Sequence, residues 1–181
     1  MNLQTSTRIG KIEDLYDAKV ALFIVQRALP EVIGFLVNKR GPEQAERDLR
    51  DIGNTIAQRI LMVWSPKTPK PFQIVKDLMR IFLGNKKLKG KVVERINGNP
   101  SKIIIRDYDC PLCPEQKKEV LEVSVIHYCV SVSGFAEYIF NHLIENRVAP
   151  YTKAKCNTVK SVGSGDKWCE HVITLEYEGV F

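Results

Sequence analysis

The segment Asp107-Tyr108-Asp109-Cys110-Pro111-Leu112-Cys113-Pro114-Glu115 sets two cysteines three residues apart between prolines. Proline fixes φ and withholds a backbone donor, so such a turn can aim both sulfurs at one point, which is half of a tetrahedral thiolate site. Two further ligands would complete it, and Cys129, Cys156, Cys169, His127 and His171 all lie downstream. Zinc is the metal that such a sulfur-rich set takes. Two other readings of the segment stay open. A redox pair would want its first cysteine at a helix N-terminus inside a βαβ unit, which the chain lacks. A plain turn would leave the thiols buried as small hydrophobes, and Cys129, Cys156 and Cys169 each sit in apolar or β-rich surroundings that suit that role. The two histidines likewise read as structural groups, and His142, on a charge-rich stretch, as a solvated one.

Other chemistry is sparse. There is no nucleophile elbow, no Gly-rich phosphate loop ending in Lys-Ser/Thr and no H-E-x-x-H helix, so the chain reads as a non-enzyme; Asp109 with His127 is an acid–base pair on paper only. The five cysteines are an odd number, which rules out a complete set of internal disulfides. The N-terminal segment lacks an apolar signal core, so the expected location is the cytoplasm, with thiols kept reduced. The net charge is +6, and Lys86, Lys87, Lys89 and Lys91 form its densest run. Such a run can meet an anionic membrane or an acidic partner as a peripheral contact, or simply be a solvated face. No aromatic residue interleaves these lysines in sequence, which argues against nucleic acid.

The elements that would position these residues follow from periodicity. Apolar residues from Leu15 to Leu36 recur at helical steps, with Pro30 expected to kink or split that helix. Gly41-Pro42 restarts it, and Ala45, Leu49, Ile52, Ile56 and Ile60 predict one buried face up to about Trp64. After the short proline-rich loop Ser65–Pro71, Phe72 to Leu83 predicts a third helix closed by Gly84. The pattern then changes to two β-branched runs joined at Gly98-Asn99-Pro100, a helix from Lys117 to Asn146 whose opening also reads as a strand, and two strands joined by Gly163-Ser164-Gly165-Asp166. The expected fold is α+β, ordered ααα-ββ-α-ββ, with N-terminal helices and a four-stranded antiparallel sheet on a long helix, in a single domain spanning 1–181. The two-proline knuckle ends the second strand and the last hairpin joins the same sheet, so Cys156 or Cys169 should approach Cys110 and Cys113.

Three pieces taken in order resemble one superfamily, that of the 4-vinyl-reductase domain and the TRAPP vesicle-tethering small subunits. RDLRDIGNTIAQRILMVW followed by PFQIVKDLMRIFLG is similar to the helix pair of TRAPP subunits. CVSVSGFAEYIF is similar to the cysteine-to-glycine helix shared by both branches. Cys156 with Gly165-Asp166-Lys167-Trp168-Cys169 resembles the terminal hairpin of the 4-vinyl-reductase branch, whose archaeal-type members also carry an upstream C-P-x-C. The resemblance implies dimerisation through the N-terminal helices and binding of small hydrophobic molecules or service as a scaffold subunit. It also implies a zinc held in phenol-sensing relatives by three cysteines and a glutamate, matching Cys129, Cys156 and Cys169. This chain has Lys153 where that glutamate falls, and Ser65–Pro71 carries no counterpart of the acylated TRAPP cysteine.

Two functions follow as expectations. One is a dimeric assembly or tethering module, built with related subunits or with itself, in which Ile24 and Phe35 lie at the dimer interface because they fall off the first helix's main apolar stripe. The other is a sensor domain for a small hydrophobic ligand, stabilised by zinc on some subset of Cys110, Cys113, Cys129, Cys156 and Cys169.

Overall fold

The computed structural model describes residues 28–83, 88–110, 112–113 and 126–178. Helix α1 covers 28–40, α2 Pro42–Leu61 and α3 Pro71–Leu83. Strands β1 (Leu88–Ile96) and β2 (Asn99–Asp107) follow, then helix α4 (Val130–Glu145) and strands β3 (Lys153–Lys160) and β4 (Cys169–Glu176). The four strands are antiparallel in the order β1-β2-β4-β3, so the fold is the expected α+β arrangement.

Gly41 adopts φ 77°, a left-handed conformation open to glycine, and so ends α1 where Pro42 can begin α2. The buried stripe of α2 is Ala45, Leu49, Gly53 and Ala57, four residues apart throughout. Ile52 and Ile56, expected in that stripe, are instead 45% and 39% exposed. The reason is a close helix crossing. A Cβ at Gly53 would strike the Ser131 carbonyl oxygen, and one at Gly134 would strike the backbone of Arg50. The small residues therefore face α4, and the larger isoleucines are turned outward. Arg50 reinforces the crossing: its Nη2 donates to Glu137 Oε2 at 2.8 Å and to the Cys156 carbonyl at 3.0 Å, while Glu137 Oε2 also accepts the Cys156 N–H at 2.7 Å. One carboxylate thus ties α2, α4 and β3 together.

The first hairpin turns at Asn97 and Gly98, with φ 49° and 82°, and not at Gly98-Asn99-Pro100. An Asn-Gly pair supplies the two positive φ angles that a tight hairpin needs, so Asn99 and Pro100 are released into β2. Along β2 the inward residues Ser101, Ile103, Ile105 and Asp107 are buried and alternate with half-buried neighbours. The core forms between this inner sheet face and the helices, with Phe135, Ile139 and Phe140 from α4 and Ile74, Val75 and Leu78 from α3. Helix α4 begins at Val130, later than the apolar period predicted, because residues 126–129 form a turn; the rest of the stretch expected to precede it, up to residue 125, lies outside the described residues.

Candidate metal centre

Four sulfurs, those of Cys110, Cys113, Cys129 and Cys169, lie within 4.8 Å of one another. They arrive from three segments of the fold, two of them from one turn. Asp107, the last residue of β2, is paired with Cys169, the first of β4, so the knuckle that follows β2 starts beside that cysteine. The Cys113 N–H returns to the Cys110 carbonyl at 3.2 Å, closing the tight turn. Cys129 is the N-cap residue of α4, with φ −96° and ψ 26°, so its side chain stands at the mouth of the helix. Two contacts hold the β3–β4 connection over the same corner: Ser164 Oγ donates to the Ile126 carbonyl at 2.7 Å, and the Ser161 N–H donates to Asp166 Oδ2 at 2.8 Å. Gly163 has room for no side chain there, because a Cβ would enter the Tyr128 ring.

Cys113 is the hub. Its Sγ is 3.4 Å from Cys169 Sγ and 3.5 Å from Ser161 Oγ, and Cys129 Sγ is 3.6 Å from the same hydroxyl. The Val162 N–H points at Cys169 Sγ from 3.3 Å. Hydrogen bonds from Cys110, Cys129 and Cys169, with that of Ser161, hold the Cys113 thiol far below its ordinary value, while the same contact with Cys113 pushes Cys110 up. A set of this kind stores negative charge on sulfur. A tetrahedral ion with bonds of about 2.3 Å to sulfur needs S···S edges of about 3.8 Å. The four sulfurs fit that size after small adjustments, and Ser161 and the Val162 amide are the outer partners that such thiolates use.

Cys156 stands apart. It faces the core opposite Ile173, four residues along β4 from Cys169, or about 13 Å of strand. Burial pushes its thiol up to about 12. His171 is buried, with Nδ1 3.1 Å from Thr158 Oγ1 and 3.3 Å from Ser133 Oγ; burial lowers it to about 4, so it is a neutral structural histidine. His127 Nδ1 is buried without a partner among the described residues, and Asp109 is exposed. Of the remaining candidates, Phe35 is 61% exposed on α1, and Lys89 and Lys91 are exposed on β1 itself. Ile24, Lys86 and Lys87 lie outside the described residues. Ser161 was not singled out from sequence, although its position directly after a strand whose partner carries Cys169 is a readable signal.

No family model and no curated protein matches the chain. Its fold is similar to the crystal structure of a trafficking protein particle complex subunit 3 from Naegleria fowleri covalently bound to palmitic acid, with a TM-score of 0.61. That match covers 87% of this chain and 96% of the other at 13% identity. The chain has a TRAPP-like fold. Among the described residues, no helix is long and apolar enough to cross a membrane.

Proposed function

We propose that the chain is a non-enzymatic assembly module of the TRAPP-like kind, working as a tether or scaffold, whose helical face pairs with a second copy of itself. The observation that carries this reading is the outward side of α1 and α2. Val32, Phe35, Ile52 and Ile56 are exposed there at 44%, 61%, 45% and 39%, and Val32, Ile52 and Ile56 line a groove of about 490 Å³. The groove also carries the Arg40–Asp48 ion pair, 2.9 Å apart, and Asp51, which give the apolar patch a polar rim holding both signs of charge. Contiguous apolar surface with a polar rim is what a lone soluble subunit avoids.

In this reading the four-sulfur cluster holds a structural zinc that locks the end of β2, the start of α4 and the start of β4. Its role is architectural, since Cys113, Cys129 and Cys169 are buried. The four donors also differ from the cysteine–glutamate set of the phenol-sensing resemblance, which favours the scaffold over the sensor.

The test is light scattering on the purified chain and on the double variant Phe35→Asp with Ile52→Asp. The expected outcome is a dimer for the parent and a folded monomer for the variant. A parent that is monomeric at high concentration, or a variant that stays dimeric, rejects this face as the interface.

A further inference from the structure

The outer face of the sheet has a charge pattern that the assembly reading does not use. Its three acids are each matched by a base: Glu94 with Lys102 at 2.9 Å, Glu176 with Lys153 at 3.0 Å, and Glu170 with Arg106. Lys89 and Lys91 on β1, and Lys155 on β3, form no ion pair with an acid among the described residues, whereas Lys160 lies opposite Glu170 in the β3–β4 register. Lys89 is moreover directly opposite Arg106 in the β1–β2 register. Like charges facing each other across strands are destabilising, and Glu170 offsets only the Arg106 charge, leaving that of Lys89 without an anion. A concavity of about 440 Å³ lies at that point, with Lys89, Lys91 and Arg106 around a floor of Ile104 and Val93 and a wall of Tyr108.

The nearby rings set the cations in place. Tyr108 and Trp168 are 5.7 Å apart; Lys89 lies 5.3 Å from the Tyr108 ring, and Arg106 and Lys160 lie 5.1 and 4.8 Å from the Trp168 ring. Because cations cover these rings, they offer poor platforms for stacking nucleic-acid bases. The edge of β1 is broken by bulges at Val92/Glu94 and Glu94/Arg95 and lined with lysine, which opposes the addition of a peptide strand.

We propose that this face docks on an anionic phospholipid surface, with the β1–β2 concavity receiving one lipid phosphate. A small soluble anion would engage only the β1 side. The unmatched lysines, Lys89 and Lys91 of β1 and Lys155 of β3, lie on opposite edges of a four-stranded sheet, about 15 Å apart, and only an extended anionic surface meets both edges. Lysine with Tyr and Trp is also the combination that suits the boundary between headgroups and water. This inference deepens the tethering reading by giving the tether its second surface, and it uses strands remote from the α1–α2 face.

The experiment is co-sedimentation of the full chain with phosphatidylcholine vesicles, with and without phosphatidylserine. Binding should require phosphatidylserine and weaken as salt rises. Replacing Lys89, Lys91 and Lys155 with alanine should weaken binding about fivefold per lysine. Replacing the paired Lys102 and Lys153 instead should change it by less than about twofold. Absence of serine-lipid-dependent binding overturns the proposal, as does equal loss in the two variant sets, or full competition by glycerol phosphate, or tighter binding to a short RNA than to vesicles. The Phe35→Asp/Ile52→Asp variant separates the two readings: as a monomer it should still sediment with vesicles, whereas a self-associating parent that ignores vesicles sinks the membrane face alone.

Discussion

Cys113 and Cys156 are both buried thiols, and their surroundings push them in opposite directions. Around Cys113, the donors Cys110, Cys129 and Cys169 favour the thiolate; around Cys156, burial favours the thiol. Zinc binding needs thiolates, so Cys113→Ser should empty the site while Cys156→Ser leaves it filled. Elemental analysis of protein prepared without chelator should then give about one equivalent of zinc for the parent and for Cys156→Ser, and less than about a tenth for Cys113→Ser. Retention of zinc by Cys113→Ser would show that the ion, if present, sits elsewhere. Cys156 also carries a pH signature. Its folded value of about 12 lies above the unfolded value of 9.0, so the stability it confers is complete below pH 9 and is lost as pH rises toward 12. The loss should approach about 1.4 kcal/mol per pH unit in that window, and urea melts of Cys156→Ala should lack that component. The spacing of Cys110 and Cys113 announced one half of the cluster, and the shared sheet announced Cys169. Cys129 stands among the candidate ligands in the sequence, but nothing there ranks it above Cys156, because a cysteine opening an apolar helix has the same pattern as a core residue; the turn at 126–129 is what aims it at the knuckle.

At the scale of elements, the contact between α2 and α4 decides which side of α2 is wet. Alanine ordinarily favours a helix over glycine by about 1 kcal/mol. At Gly53 that gain is overridden, since the added methyl would meet the Ser131 carbonyl and the backbone of Phe135, neither of which can rotate away. Gly53→Ala should therefore destabilise the fold by at least about 2 kcal/mol in chemical denaturation, with Gly41→Ala as a comparison that meets no atom and suffers only backbone strain. Equal stability of Gly53→Ala and the parent would mean that the helices separate at little expense. Among the described residues, the order of helices and strands could be read from periodicity and turn residues alone. The face of α2 could not, because hydropathy ranks isoleucine above glycine and alanine, whereas a close crossing selects for the absence of a side chain. Strand alternation would likewise have separated the outward Lys155 and Arg106 from their buried neighbours, but sequence distance hid that they share a face with Lys89.

For the whole molecule, the order β1-β2-β4-β3 places at the centre of the sheet two strands from distant parts of the chain. Each hairpin is local, yet the β2–β4 seam and the sulfur corner both join segments on either side of α4. Cys113 and Cys169 are 56 positions apart. During synthesis at roughly 5–20 residues per second, the knuckle thiols are made roughly 3–11 seconds before the last cysteine that can share a metal with them. For that interval the nascent chain carries a dithiol without its cage and a β2 edge without its neighbour, the state most open to oxidation and to strand pairing with another chain. The last hairpin therefore acts as the closing step of biogenesis, and a slow or stalled C-terminus would be felt first as thiol chemistry at Cys110 and Cys113, far from the point of delay.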